Sequence, residues 1–101
     1  MIIYNVTIKV DWSVHDQWLR WMKEEKLPGM LATPFFYEYR MVRLLETDDT
    51  DGPTYAVQYA AHSLKEYNRY ITSHLIKHSQ MEAGLWGNKA VHFSTVMEVV
   101  C

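Results

Sequence analysis

The sequence predicts an α+β fold of the ferredoxin-like kind, in the order β-α-β-β-α-β, as a single domain over residues 1–101. Three observations carry this: a first segment alternating with period two, two stretches of helical period each opened by a serine, and a hairpin-like pair between them. From Ile2 to Val10, the residues Ile2, Tyr4, Val6, Ile8 and Val10 fall in one phase, and Ile3, Asn5, Thr7 and Lys9 in the other, as in a strand with one apolar face. Ser13, three residues before Asp16, marks a capping-box-like start for a helix over about Val14 to Glu25 that stops before Pro28 and Gly29. At about 100° per residue Val14, Trp18, Trp21, Met22 and Glu25 share one side of it. The tryptophans of HDQWLRWM thus have the spacing of a core stripe rather than of a cofactor box. FFYEYRMVRLLE, Phe35 to Glu46, is β-prone; TDDTDGP is a turn cluster; TYAVQYAA, Thr54 to Ala61, returns beside it. Ser63 with Glu66 opens a second helix from Leu64 to about Glu82, ending near Gly84, and Lys89 to Val100 reads as the last strand.

This order places both helices on one face of an antiparallel sheet and leaves the other bare. On the last strand Val91, Phe93, Met97 and Val99 form one phase, and His92, Ser94, Val96, Glu98 and Val100 the other. Neither phase is uniformly hydrophilic, so a second copy packed sheet to sheet is expected to cover the bare face, with the Val96 phase turned to the subunit.

Composition narrows the function classes. Ten Lys and Arg are interspersed with twelve Asp and Glu, for a net charge of −2, so the clustered positive charge of a nucleic-acid footprint is missing. The single cysteine, Cys101, permits no internal disulfide and no cysteine metal cluster. No stretch approaches the apolar length of a membrane span, and MIIYNVTIKV has neither a basic lead nor a small-residue cleavage site; a soluble, cytoplasmic protein is expected.

Taken together, MIIYNVTIKVDW, HDQWLRWMKEE, RLLE, GPTYAVQY, YNRYI and TVMEVV resemble an uncharacterised bacterial family, domain of unknown function 4286, within the dimeric α+β barrel superfamily. The resemblance runs over essentially the whole chain. It implies a ferredoxin-like protomer whose sheet packs against that of a second copy, and supplies no activity, because the superfamily spans monooxygenases, haem-degrading enzymes, dehalogenases and sensory modules. After MKEE such relatives tend to carry a histidine; Lys26 stands there in this chain, which removes the ground for carrying an acid–base or metal role to that position.

Two groups of side chains are candidates for chemistry. Tyr4, Trp18, Tyr67, His74 and His78 could line a ligand pocket between sheet and helices. His74 and His78, four apart on the second helix, could in principle share a metal, but no zincin glutamate lies between them and no third ligand is indicated, so no metal is expected. Asn5, Glu38, Arg40, Gln58 and His92 could converge on the opposite face, either around a small ligand or as cross-strand and interchain pairs; the pairs are favoured. A haem role for Asn5 is disfavoured, since Asn5 shares its phase with Thr7 and Lys9 and not with the helix-facing Tyr4. TDDTDG lacks the acidic first and twelfth positions of a calcium loop. The function expected is therefore a homodimeric ligand-binding or regulatory module without cofactor. The alternative is a cofactor-independent, monooxygenase-like enzyme using Tyr4 and Tyr67, with His74 or His78 as base.

Overall fold

The computed structural model describes residues 1–101. Its strands are β1 (Ile2–Val10), β2 (Glu38–Arg43), β3 (Thr54–Ala61) and β4 (Ala90–Glu98), forming one antiparallel sheet in the order β2-β3-β1-β4. A first helical arm runs through α1 (His15–Trp21), a π-helical turn (Met22–Lys26) and α2 (Leu27–Leu31). A second runs through α3 (Leu64–Tyr70), another π turn (Ile71–Leu75) and α4 (Ile76–Trp86), followed by a 3₁₀ turn at Gly87–Lys89. This is the expected ferredoxin-like α+β architecture.

The register fixes which residues share a face. Tyr4 opposes Tyr59 and Val96, Val6 opposes Val57 and Ser94, and Ile8 opposes Tyr55 and His92. The buried members of this set, among them Ile2, Tyr4, Ile8, Val10, Val57 and Tyr59, meet Trp18, Met22, Leu27 and Met30 of the first arm and Tyr70 of the second. Hydrophobic burial between sheet and helices is the main stabilising contribution, at about 25 cal/mol per Å² of apolar surface. The other face carries Asn5, Gln58, Arg40 and Glu38, together with Val91, Phe93, Thr95 and Met97 of the edge strand β4. His92 and Val96 are thus on the helix side, which corrects their expected place on the outward face: β4 enters the sheet with His92 opposite the inward-pointing Ile8.

β1 and β3 have the expected bounds, whereas β2 is shorter, because the chain before Glu38 pairs only through Tyr37, whose N–H donates to the Ala60 carbonyl. Ser13 does not cap the first helix; its own backbone N–H donates to the Asp11 carboxylate at 2.8 Å and Val14 takes the cap position. Ser63 does occupy the second cap position with extended backbone, though its hydroxyl makes no capping bond.

Both helices outrun their expected ends. The first continues through Pro28, which has no N–H for the Glu24 carbonyl and whose ring would crowd it. A π turn immediately ahead, closed by the Leu27 N–H on the Met22 carbonyl, absorbs the misfit without ending the helix. In the second arm Thr72 and Ser73 turn their hydroxyls back onto the Asn68 and Arg69 carbonyls, competing with the ladder where the other π turn forms. Gly84 lies inside α4; the helix stops at Gly87, whose φ of 57° suits a residue without Cβ.

Candidate functional site

Each π turn adds one residue to a helical repeat, and one extra residue turns everything downstream by about 100°. In the first arm an uninterrupted helix would send Glu25 inward. Instead Glu25 is exposed and Lys26 is the residue drawn inside, between the buried Met22 and Met30. In the second arm an uninterrupted α period would carry Met81 to the side of Tyr67 and His74; instead Met81 is exposed, and Glu82 and Trp86 turn toward the sheet.

These shifts put Lys26 and Glu82 opposite each other, with Lys26 Nζ 3.3 Å from Glu82 Oε2. The Lys26 side chain is only 9% exposed and that of Glu82 25%. Both border a cavity of about 110 Å³ between the helical arms and the sheet. Tyr4, Trp18, Met22, Met30 and Trp86 give it a mostly apolar wall, and Ala90 and His92 close the β4 side.

Electrostatics and hydrogen bonding differ sharply across this space. Burial holds the Lys26 ammonium below the usual lysine range, against the opposing pull of Glu82. Burial first, then the proximity of Tyr67 and Glu82, pushes the Tyr4 hydroxyl up to about 12, so it stays a neutral donor. Tyr59 and Tyr70 are raised for the same leading reason. The Trp86 indole N–H is buried and has no hydrogen-bond partner, which leaves a donor unsatisfied beside the cavity.

The candidate residues divide between several places. Tyr4 and Trp18 line the cavity. Tyr67 packs its ring 5.5 Å from that of Tyr4 without reaching the space. His78 Nδ1 and the Tyr70 hydroxyl share a hydrogen bond of 2.9 Å, and burial, with the Lys26 charge next, lowers His78 to about 4. His74 sits edge-on to Phe35, with its Nδ1 on the Ser73 hydroxyl. The two histidine rings are 5.7 Å apart, and no group of three or more His, Cys, Asp or Glu converges around a common point. On the outer face Asn5, Gln58 and Arg40 stand in register across three strands with Glu38 beside Arg40, but Asn5 donates to Thr7 rather than to any of them. His92 is absent from that group and stands at the cavity.

Lys26 and Trp86 lie beyond the expected helix ends at about Glu25 and Glu82, and Glu82 stands at the very end of its expected helix, so the sequence pattern singles out none of the three. The available signals were indirect: Pro28 inside a helical pattern, and the adjacent Thr72 and Ser73 in mid-helix.

Fold and site together define a ferredoxin-like α+β protein with an internal cavity under its helices. The family model for the Domain of unknown function (DUF4286) matches residues 1–100, and the chain belongs to that family. No curated protein matches the sequence. Among solved structures, one named as a candidate antibiotic biosynthesis monooxygenase from Deinococcus radiodurans is similar with a TM-score of 0.72 at 14% identity, covering 99% of this chain and 93% of its own. A dimeric ferredoxin-like protein from an uncultured marine organism gives 0.74 at 8% identity, over 99% and 95%. An ethyl tert-butyl ether d family protein from Bacillus halodurans gives 0.67 at 10%, over 99% and 100%. At these identities the likeness is one of fold, and no chemistry is demonstrated by it.

Proposed function

We propose that this protein is a small homodimeric binding module whose ligand is a compact, mostly apolar molecule carrying one hydrogen-bond-accepting oxygen. The carrying observation is the unpartnered Trp86 N–H beside a cavity otherwise walled by apolar side chains. A preformed apolar pocket with few convergent polar groups suits a small organic ligand. An acceptor placed against Trp86 would remove the cost of its buried donor, on the order of 1–3 kcal/mol. The volume, about 110 Å³, is near the benzene-sized scale.

Self-association is part of the proposal. Phe93, Val91, Val42 and Met97 leave 63, 55, 39 and 37% of their surface exposed on the outward face, which a second copy would cover. Asn5, Gln58, Arg40 and Glu38 then serve as polar contacts on that face. The dimeric marine protein supports this reading by analogy of fold. A bacterial cytoplasmic setting belongs to the same proposal; no helix is long and apolar enough to cross a membrane.

The oxygenase-like alternative draws less support, because of Tyr4, Tyr67, His74 and His78 only Tyr4 borders the cavity. The binding reading is tested by titrating the protein with phenol, benzaldehyde and acetophenone while following tryptophan fluorescence, since Trp18 and Trp86 both line the space. Saturable quenching that weakens at least tenfold in Trp86→Phe is expected. An unchanged spectrum at millimolar concentrations of every compound rejects the reading.

A further inference from the structure

We propose that Lys26 is a covalent anchor that forms an imine with a small apolar aldehyde or ketone held in the cavity, and that Glu82 moves the protons this requires. The inference rests on the binding reading and names its ligand class. Its geometry is that of a lysine amine almost closed off from solvent, 3.3 Å from a carboxylate, in the wall of an apolar space that also holds an unpartnered indole N–H. A buried ion pair alone is an unfavourable use of a core position, because desolvation of both charges offsets most of their attraction. Burial instead favours the neutral amine of a lysine over its ammonium, the form that attacks carbonyl carbon in Schiff-base lysines.

Each step balances without a further reagent. The Lys26 ammonium passes a proton to Glu82, leaving a neutral amine beside a carboxylic acid. The amine lone pair attacks the carbonyl carbon and forms the C–N bond, while the C=O π pair moves to oxygen and takes a proton from Glu82. The Trp86 N–H, donating to that oxygen, polarises the carbonyl beforehand. Glu82, again a carboxylate, takes one proton from the nitrogen and delivers it to the departing hydroxyl, so that water leaves and C=N remains. The titratable groups around Lys26 and its cavity are Glu82, His78 and Tyr70 from the second arm, and Tyr4, Tyr59 and His92 from the sheet. Tyr4, kept protonated by burial, leaves Glu82 as the anion beside the amine.

The test is reductive trapping of the whole protein at pH 7 with benzaldehyde and cyanoborohydride, followed by peptide mapping, with fluorescence titration of benzaldehyde and of benzyl alcohol in parallel. The expected result is a benzyl adduct at Lys26 at least tenfold faster than at Lys9, Lys23, Lys65, Lys77 or Lys89. A label spread evenly over the six lysines, or sparing Lys26, while both compounds still quench fluorescence, overturns the anchor and leaves the binding reading standing. Absence of quenching by either compound, with no selective label, overturns both. Glu82→Gln discriminates further. Loss of its charge alone would free the amine and hasten labelling, whereas loss of the proton carrier slows it; slowing of about tenfold with unchanged benzyl alcohol affinity is expected, and equal or faster labelling removes Glu82 from the step.

Discussion

Gly84 and Gly52 show how differently one residue type is used. Gly84 lies in the interior of α4 with open space where a Cβ would stand, so it costs helix stability and gains no contact. Gly84→Ala should raise stability by about 0.5–1 kcal/mol in urea denaturation. Gly52 lies beneath the Val10 carbonyl, and a Cβ there would overlap the Val10 oxygen and carbon. Gly52→Ala should lower the thermal midpoint markedly, since backbone and not a flexible side chain would have to yield. His78 gives a signed pH effect. Its folded value, about 4, lies below its ordinary 6.5, so the unfolded chain binds the proton more readily between these limits. Its contribution is therefore complete above about pH 6.5 and lost as pH falls toward about 4. His78→Asn should show a smaller drop in urea midpoint from pH 7 to pH 4.5 than the parent chain; an equal drop would assign the acid sensitivity to other groups.

Between the two helical arms the decisive features are the π turns, since they select Lys26 and Glu82 over Glu25 and Met81. The ion pair couples the arms, and removing one partner leaves a poorly solvated charge. Lys26→Met and Glu82→Leu should each destabilise by at most about 3–5 kcal/mol, the range for fully buried pairs, because Glu82 keeps some contact with water. The double variant should recover much of that loss, and simple additivity in a denaturation cycle would show that the pair is not coupled. What the sequence revealed follows the same division. The turn cluster TDDTDGP located β3 at Thr54 to Ala61, and period-two alternation located β1 to the residue, because Ile2 to Val10 commit one phase to the core. The Trp18 and Met22 stripe was legible for the same reason. Beyond Met22 and beyond Ile71 the register was not legible, because a π turn is decided by a proline and by hydroxyl back-bonds whose effect no fixed period contains. Tyr4 and Trp18 precede those turns or lie outside the helices and were placed at the cavity; Lys26 ends the first turn, Glu82 and Trp86 follow the second, and all three were missed. The face of β4 was ambiguous because both of its phases are part apolar, and only pairing with β1 resolves it.

At the scale of the whole molecule the sheet separates two roles, an inner face that walls the cavity and an outer face suited to a second copy. Phe93→Asp should lower the dimer fraction in light scattering at micromolar concentration, whereas Val96→Asp, on the helix side, should act on folding rather than on association. A monomeric mass for the parent chain would reject the dimer. The cavity and its waiting donor are tested most directly by nitrogen–proton correlation spectra of the tryptophan indoles during titration with benzaldehyde. The Trp86 indole proton should move downfield in a saturable manner as it acquires an acceptor, while that of Trp12, bound to the Asp49 carbonyl at 2.9 Å, stays in place. A Trp86 resonance that remains fixed at millimolar ligand would contradict the binding site.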